Sequence, residues 1–279
     1  MRRLPLLIIL AFIAAQLFAQ KKKQEIVSNN SDSVFFSKMK FRLVGPFRGG
    51  RVGTVCGDYS DRNTFYFGGA GGGVWKTTDG GSNWKNISDK YFGGSIGAVA
   101  VAPSDNNVLY VGEGENTLRG NEIEGLNGIW RSDDAGRTWR NIGLKDTRHI
   151  AKIVVHPRDP NTAWVAVIGH SFGPSESRGI YKTTDGGKTW KKVLYVNNLT
   201  AASDITMEPG NPNVLYAGTW HIIRTPYSME SGGEGSGIWK SVDGGETWTN
   251  ISTKKVCRKA FGELFALQFR QTTPIKFLR

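Results

Sequence analysis

The sequence predicts an all-β chain: a β-propeller of four-stranded antiparallel blades, with about four blades present as an incomplete ring. Three observations predict it. A twelve-residue pattern occurs at residues 73–84 (GVWKTTDGGSNW), 128–139 (GIWRSDDAGRTW), 179–190 (GIYKTTDGGKTW) and 237–248 (GIWKSVDGGETW). Its aspartates, Asp79, Asp134, Asp185 and Asp243, are spaced by 55, 51 and 58 residues, a period suited to one four-stranded blade. Between the copies lie pairs of apolar strands joined by Pro/Asp/Asn turns, and no helix is needed to explain them.

The chain opens with Arg2 and Arg3, an apolar run over 4–15 and a small residue at Ala19, which together read as a signal peptide spanning 1–19. The run is too short for a comfortable membrane span, so no stable span is expected after cleavage and the mature chain is expected outside the cytosol, secreted or in the periplasm or cell envelope. Residues 20–40 are polar and lack periodicity, a flexible lead-in. The blades occupy 41–255.

Each blade reads as strand A, a tight turn, strand B, a variable loop, strand C, the Asp-rich turn and strand D. Residues 96–112 (IGAVAVAPSDNNVLYVG), 150–166 (IAKIVVHPRDPNTAWVA) and 202–218 (ASDITMEPGNPNVLYAG) supply A, turn and B, and 52–68 is a looser first copy. In the repeated turn, the four aspartates accept hydrogen bonds from turn amides. Gly81, Gly136, Gly187 and Gly245 tolerate positive φ. Thr77, Ser132, Thr183 and Ser241 close the same network, and Trp84, Trp139, Trp190 and Trp248 bury a ring between neighbouring sheets.

In an up-and-down sheet the A–B and C–D turns share one face, and the B–C loops and D–A links share the other. The uniform turns hold the fold, while the variable loops converge around the channel and are where a ligand is expected. That face carries the candidate ligand-binding residues Arg48, Arg51, Glu113, Glu115, Arg119, His170, Trp220, His221 and Arg224.

Beyond Ser252 the repeat lapses. Residues 256–279 match nothing upstream, yet with permitted synonymous codons they re-read in a shifted frame as SLPKGIWGIVRIAVSPDNPNKVFA, the strand A, turn and strand B that the repeat requires. A frameshifted, non-native tail is therefore expected, and with it an N-terminal fragment of a longer propeller protein.

The net charge of +12 suggests nucleic acid until it is located. Arg2, Arg3, Lys21, Lys22, Lys23 and the tail hold nine of those charges, leaving +3 on the blades, and no basic-aromatic groove accompanies them. No nucleic-acid partner is expected. Cys56 falls in an inner strand and reads as a small apolar residue rather than a disulfide partner of Cys257. His149, His156, His170 and His221 are scattered, so no metal and no cofactor is expected.

The repeated turns resemble the Asp-box (BNR) superfamily, which includes sialidases, glycoside hydrolase family 74 xyloglucanases, sortilin-type receptor domains and photosystem II assembly factors. The resemblance covers 41–252 and looks closest to secreted bacterial proteins labelled glycosyl-hydrolase-like or sortilin-like, through GPFRGGR at 45–51, FYFGGAGGGVWKTTDGG at 65–81 and EGENTLRG at 113–120. It implies fold strongly and chemistry weakly. The position that resemblance gives to the family 74 catalytic Asp is Ala70, which cannot act as a base. Three functions stay open: a secreted recognition module for a glycan or an extracellular peptide or protein; a glycosyl-hydrolase-like enzyme whose carboxylates lie in later blades or at Glu113, Glu115 and Glu122; and an assembly or secretion factor working through protein contacts.

Overall fold

The computed structural model describes residues 50–116 and 124–252. The chain divides into two units, 1–47 and 48–279, and the first lies outside the described residues, as do the predicted signal peptide, the lead-in, Arg48, Arg119, Glu122, Cys257 and the tail.

The described residues of the second unit form four antiparallel sheets, each ordered A-B-C-D as the repeat predicts. Blade 1 is β1 (Val52–Gly57), β2 (Phe65–Gly69), β3 (Gly73–Thr77) and β4 (Lys85–Asn86). Blade 2 is β5 (Ile96–Ala102), β6 (Asp105–Glu113), β7 (Ile129–Ser132) and β8 (Arg140–Asn141). Blade 3 is β9 (Ile150–Val155), β10 (Ala163–Val167), β11 (Gly179–Thr183) and β12 (Lys191–Leu194). Blade 4 is β13 (Thr200–Glu208), β14 (Asn211–Arg224), a short arm β15 (Met229–Ser231), β16 (Gly237–Ser241) and β17 (Thr249–Asn250). The only helical element among the described residues is a 3₁₀ turn, Lys145–Thr147.

Strand character follows position. β10 is buried along its whole length, because sheets cover both of its faces, so it reads as a continuous apolar run. The outermost β4, β8 and β17 face water on one side and shrink to two polar residues each. The inner strands pack in succession, β1 on β5, β5 on β9 and β9 on β13. The four inner strands and their A–B turns line a common cavity of about 830 Å³.

Among the described residues the core is divided rather than gathered in a single hub. Three apolar layers lie between adjacent sheets: Tyr66, Val74, Ile96 and Leu109 between blades 1 and 2; Tyr110, Ile129, Ile150 and Val165 between blades 2 and 3; Trp164, Ile180, Ile205 and Leu215 between blades 3 and 4. Close approach depends on small residues in strand B. A Cβ at Gly112 would stand 2.4 Å from Ile150 Cγ2, and one at Gly68 would stand 2.5 Å from Ile96 Cγ2. At these two junctions the isoleucine that opens the next inner strand seats against bare backbone.

The four box turns repeat one local network. Thr183 Oγ1 donates to Asp185 Oδ1 at 2.8 Å, the Gly187 amide donates back to Thr183 Oγ1 at 2.9 Å, and Thr189 donates its amide (3.0 Å) and hydroxyl (2.6 Å) to the Asp185 carboxylate. Equivalent bonds recur at Asp79, Asp134 and Asp243. The donors hold the carboxylates ionised. Amide and hydroxyl donors bring Asp79 down to about 2, and the Thr189 and Thr247 hydroxyls and amides push Asp185 and Asp243 well below the usual carboxylate range. Ala135 takes φ 59°, the left-handed turn that Gly80, Gly186 and Gly244 occupy in the other copies.

One element departs from the sequence expectation. The stretch 218–237 reads as a variable loop, but β14 runs on to Arg224 and pairs with β15, Ile222 opposite Ser231 and Arg224 opposite Met229. Ile222 is fully buried, so alternation carries the strand past the blade's edge. Cys56 lies in β1 as expected, unbridged among the described residues, and burial pushes its thiol up to about 12.

Candidate functional site

The face formed by the B–C loops and the D–A links carries two buried carboxylates at the end of β6. β6 ends at Glu113, and the chain then turns through Gly114, at φ 91°, to present Glu115. Glu115 is 3 % exposed, and its Oε1 accepts from Arg51 Nη2 at 2.6 Å. Arg51 lies just ahead of β1, so the ion pair joins the loops of blades 1 and 2. Asn116 secures the same junction, its Nδ2 donating to the carbonyls of Gly53 (2.7 Å) and Gly97 (3.1 Å). Below it, the buried His149 donates Nδ1 to the Glu115 carbonyl at 3.0 Å, and burial lowers its pKa, favouring the neutral ring.

Glu113 and Glu115 are two residues apart and differ in what they face. Glu113 accepts from the amides of Leu126 (3.0 Å) and Asn127 (3.2 Å), from Asn127 Nδ2 (3.0 Å) and from Trp130 Nε1 (2.7 Å). Those donors engage both of its oxygens in holding the blade 2 loop. Glu115 keeps Oε2 buried with no hydrogen-bond partner among the described residues, and Arg51 Nε is in the same condition.

Blade 3 contributes His170, whose Nδ1 lies against Glu124 Oε1, while Arg148 Nε stands 4.0 Å from Glu124 Oε2. Phe172 meets the His170 ring edge-on at 6.1 Å between centroids. Blade 4 contributes a group held mostly by its own loop. Trp220 is 9 % exposed and donates to Ser231 Oγ at 3.0 Å; His221 Nε2 meets Glu230 Oε1 at 3.1 Å; Arg224 Nη1 donates to the Ser228 carbonyl at 3.0 Å. Of the residues singled out from sequence, Arg51 and Glu115 are brought into one pair. Glu113 and Trp220 are built into the scaffold. His170 stands on the blade 3 loop, whereas His221 and Arg224 share β14 of blade 4.

Three neighbours of these residues escaped the sequence reading. Glu124 and Arg148 meet His170 only through the fold. Arg178 is fully buried and donates Nη1 to Leu199 O (2.6 Å) and Ile222 O (2.9 Å), and Nη2 to His170 O (2.9 Å) and Gly173 O (3.0 Å), stapling the blade 3 loop to blade 4. Burial lowers its pKa to about 10, so it stays charged. Its signal was positional: the residue before the first Gly of each box is Gly72, Asn127, Arg178 or Ser236, and only one is a cation.

Ala70 sits at this face as well, its amide donating to the Arg51 carbonyl at 2.9 Å, so a methyl group stands where the family 74 resemblance puts a base. Among the described residues no three His, Cys, Asp or Glu side chains converge as metal ligands. The 830 Å³ cavity is lined at the A–B turns by Asp58, Tyr59, Pro103, Pro157 and Pro209, and by none of the loop-face residues above. Among the described residues no helix is long and apolar enough to cross a membrane.

Comparison with known proteins bears on the family. The model of Sortilin-Vps10 (sortilin, neurotensin receptor 3) matches residues 127–272, just over half of the chain. Vacuolar protein sorting/targeting protein 10 of Sordaria macrospora is 37 % identical over 87 residues, covering 31 % of this chain and 5 % of that protein. Xyloglucanase Xgh74A of Acetivibrio thermocellus is 29 % identical over 150 residues, covering 44 % of this chain and 16 % of the enzyme. The crystal structure of an ancestral GH74 enzyme superposes with TM-score 0.58 at 22 % identity, covering 76 % of this chain and 25 % of that one, a likeness of fold. The chain thus spans between a twentieth and a sixth of the length of these two curated relatives.

Proposed function

The chain belongs to the Sortilin-Vps10 family, and from that premise we propose that it is an exported recognition propeller that binds a glycan or a peptide on its loop face, at Arg51 and Glu115. The observation that carries the reading is the pair's incomplete satisfaction. A buried carboxylate oxygen and a guanidinium N–H lie in one ion pair without further partners among the described residues, and such groups carry a cost of about 1–3 kcal/mol each unless something binds them. A ligand offering a hydroxyl or amide donor to Glu115 Oε2 and an acceptor to Arg51 Nε meets both needs, and sugar hydroxyls and peptide groups are each donor and acceptor. His170 and Phe172 offer a ring surface for stacking on the neighbouring loop. In this reading residues 1–19 export the chain.

Both ligand classes are named by the relatives, a neurotensin receptor on one side and xyloglucanases on the other. The test is calorimetric titration of the chain with xyloglucan oligosaccharides and with neurotensin peptide, alongside a reducing-end assay on xyloglucan. The reading expects saturable binding of one of them, weakened at least tenfold by Arg51→Ala, with no sugar released. Release of reducing ends would favour hydrolysis instead, with Glu115 and Glu124 the carboxylates to substitute first. Absence of binding to either probe overturns the reading.

A further inference from the structure

The link from blade 2 to blade 3 carries a strained turn. Arg148 takes φ 55° and ψ −55°, and the His149 amide donates to the Thr147 carbonyl at 2.5 Å, which makes Arg148 the centre of the rare, positive-φ form of γ-turn. A long side chain keeps that backbone shape only where its surroundings impose it, and such strain gathers where a geometry serves a site. Here the surroundings are the loop that carries Glu115. The Gly125 amide donates to the Arg148 carbonyl at 2.8 Å, and Arg148 Nε stands 4.0 Å from Glu124 Oε2. A Cβ at Gly114 would lie 2.1 Å from the Arg148 oxygen and 2.7 Å from His149 Cα, so the loop and the turn are in backbone contact.

The turn delivers His149, fully buried, against Glu115. Nδ1 of the ring donates to the Glu115 carbonyl at 3.0 Å, and the His149 carbonyl accepts from the amide of Ile168, just past β10, at 2.9 Å. The ring thus holds the main chain of Glu115 while Arg51 holds its side chain, and the carboxylate is fixed from both ends. The charged and titratable groups facing the ring are Glu115, Glu124 on the blade 2 loop and His170 on the blade 3 loop; Arg51 and Arg148 stand against the two carboxylates. Burial disfavours the charged ring more than those carboxylates favour it, so the pocket accepts the neutral form.

We propose that His149 is a positioning residue for Glu115, and that protonation of its ring, by opening the link, weakens binding at Arg51 and Glu115 in acid. The inference rests on the reading of that pair as the ligand site. A ring held neutral by burial takes up its proton more readily once the link opens. The closed link is therefore intact above the ordinary histidine value of 6.5 and is weakened as pH falls below it. Opening also releases the strained φ of Arg148, which acts in the same direction.

The experiment titrates the full chain with whichever of neurotensin peptide and xyloglucan oligosaccharide it binds, at about pH 7.5 and about pH 5.5. The parent should lose about tenfold in affinity at the lower pH, the effect of roughly one unit below the ordinary histidine value. His149→Asn keeps an N–H donor for the Glu115 carbonyl and cannot take up a proton, so it should bind like the parent at the higher pH and lose the acid fall. His149→Leu keeps neither property and should bind more weakly at both, with far-UV circular dichroism confirming its fold; if it does not fold, the asparagine variant decides. A folded leucine variant that binds like the parent overturns the inference. So does an acid fall that survives in His149→Asn, or one that disappears in His170→Asn instead. A second readout needs no ligand: hydrogen-exchange protection at the Gly125 amide, bonded to the strained turn, should drop in acid in the parent and hold in His149→Asn. Binding of neither probe by the parent defeats the ligand reading alone. The protection profile then decides the role of His149, and equal profiles in parent and variant overturn it.

Discussion

Replacing Arg178 with methionine isolates the staple between blades 3 and 4. The side chain is fully buried and its guanidinium serves four carbonyls, but the four are not equal. His170 and Gly173 are half-exposed, so water can reach their carbonyls once the arginine is gone. Leu199 O keeps the Ile222 amide at 3.0 Å, whereas Ile222, fully buried, loses the charged donor 2.9 Å from its carbonyl. The main cost is therefore one orphaned carbonyl and one half-satisfied one, each worth about 1–3 kcal/mol. Release of a buried charge offsets part of it, as the lowered guanidinium pKa requires. The net expectation is a loss of about 2–4 kcal/mol, read from urea unfolding of parent and variant. Hydrogen exchange should locate the damage at the amides of Ile222 and Arg224. Arg178→Lys keeps the charge without the planar fork, and should recover less than half of the loss. A methionine variant within about 0.5 kcal/mol of the parent would refute the reasoning, as surface substitutions behave that way.

Two further outcomes follow from the box turns. Ala135→Gly should raise stability by about 0.5–1 kcal/mol, because the left-handed turn costs alanine more than the glycine's extra unfolded-state entropy takes back, and a thermal melt that falls instead would contradict it. The depressed carboxylates set the acid limit: their stabilisation is present above the ordinary value of 3.8 and is lost as pH falls through the folded values, about 2 for Asp79. Acid titration followed by circular dichroism should show stability falling between these two values, and Asp185→Asn should flatten that fall; an unchanged slope would remove the box aspartates as its source.

The box networks were legible in the sequence because their partners are two to four residues apart, so the donor, the acceptor and the turn that joins them are written in one short stretch. The strand order followed from the same repeat, since each copy supplies the next hairpin. Ala135 was visible as the one alanine in a glycine column, although its left-handed φ was not. The site was less legible. Arg51 and Glu115 were singled out individually from loop position, but their pairing spans 64 residues, and nothing near either names the other. Glu113 and Glu115 look alike in a string of letters; the strand's end and the turn at Gly114 send one toward Trp130 and its own loop, and the other toward Arg51.

By itself the sequence determined the blade, its strand order, its turns and the face on which the loops gather, because each of these rests on hydrogen bonds and alternation confined to one repeat. Which loop residues meet and which are consumed by the scaffold emerged only from tertiary packing. Those outcomes depend on how successive sheets stack about the common cavity, and a contact such as Arg178 to Ile222, 44 residues away, exists only once that stacking brings two blades together.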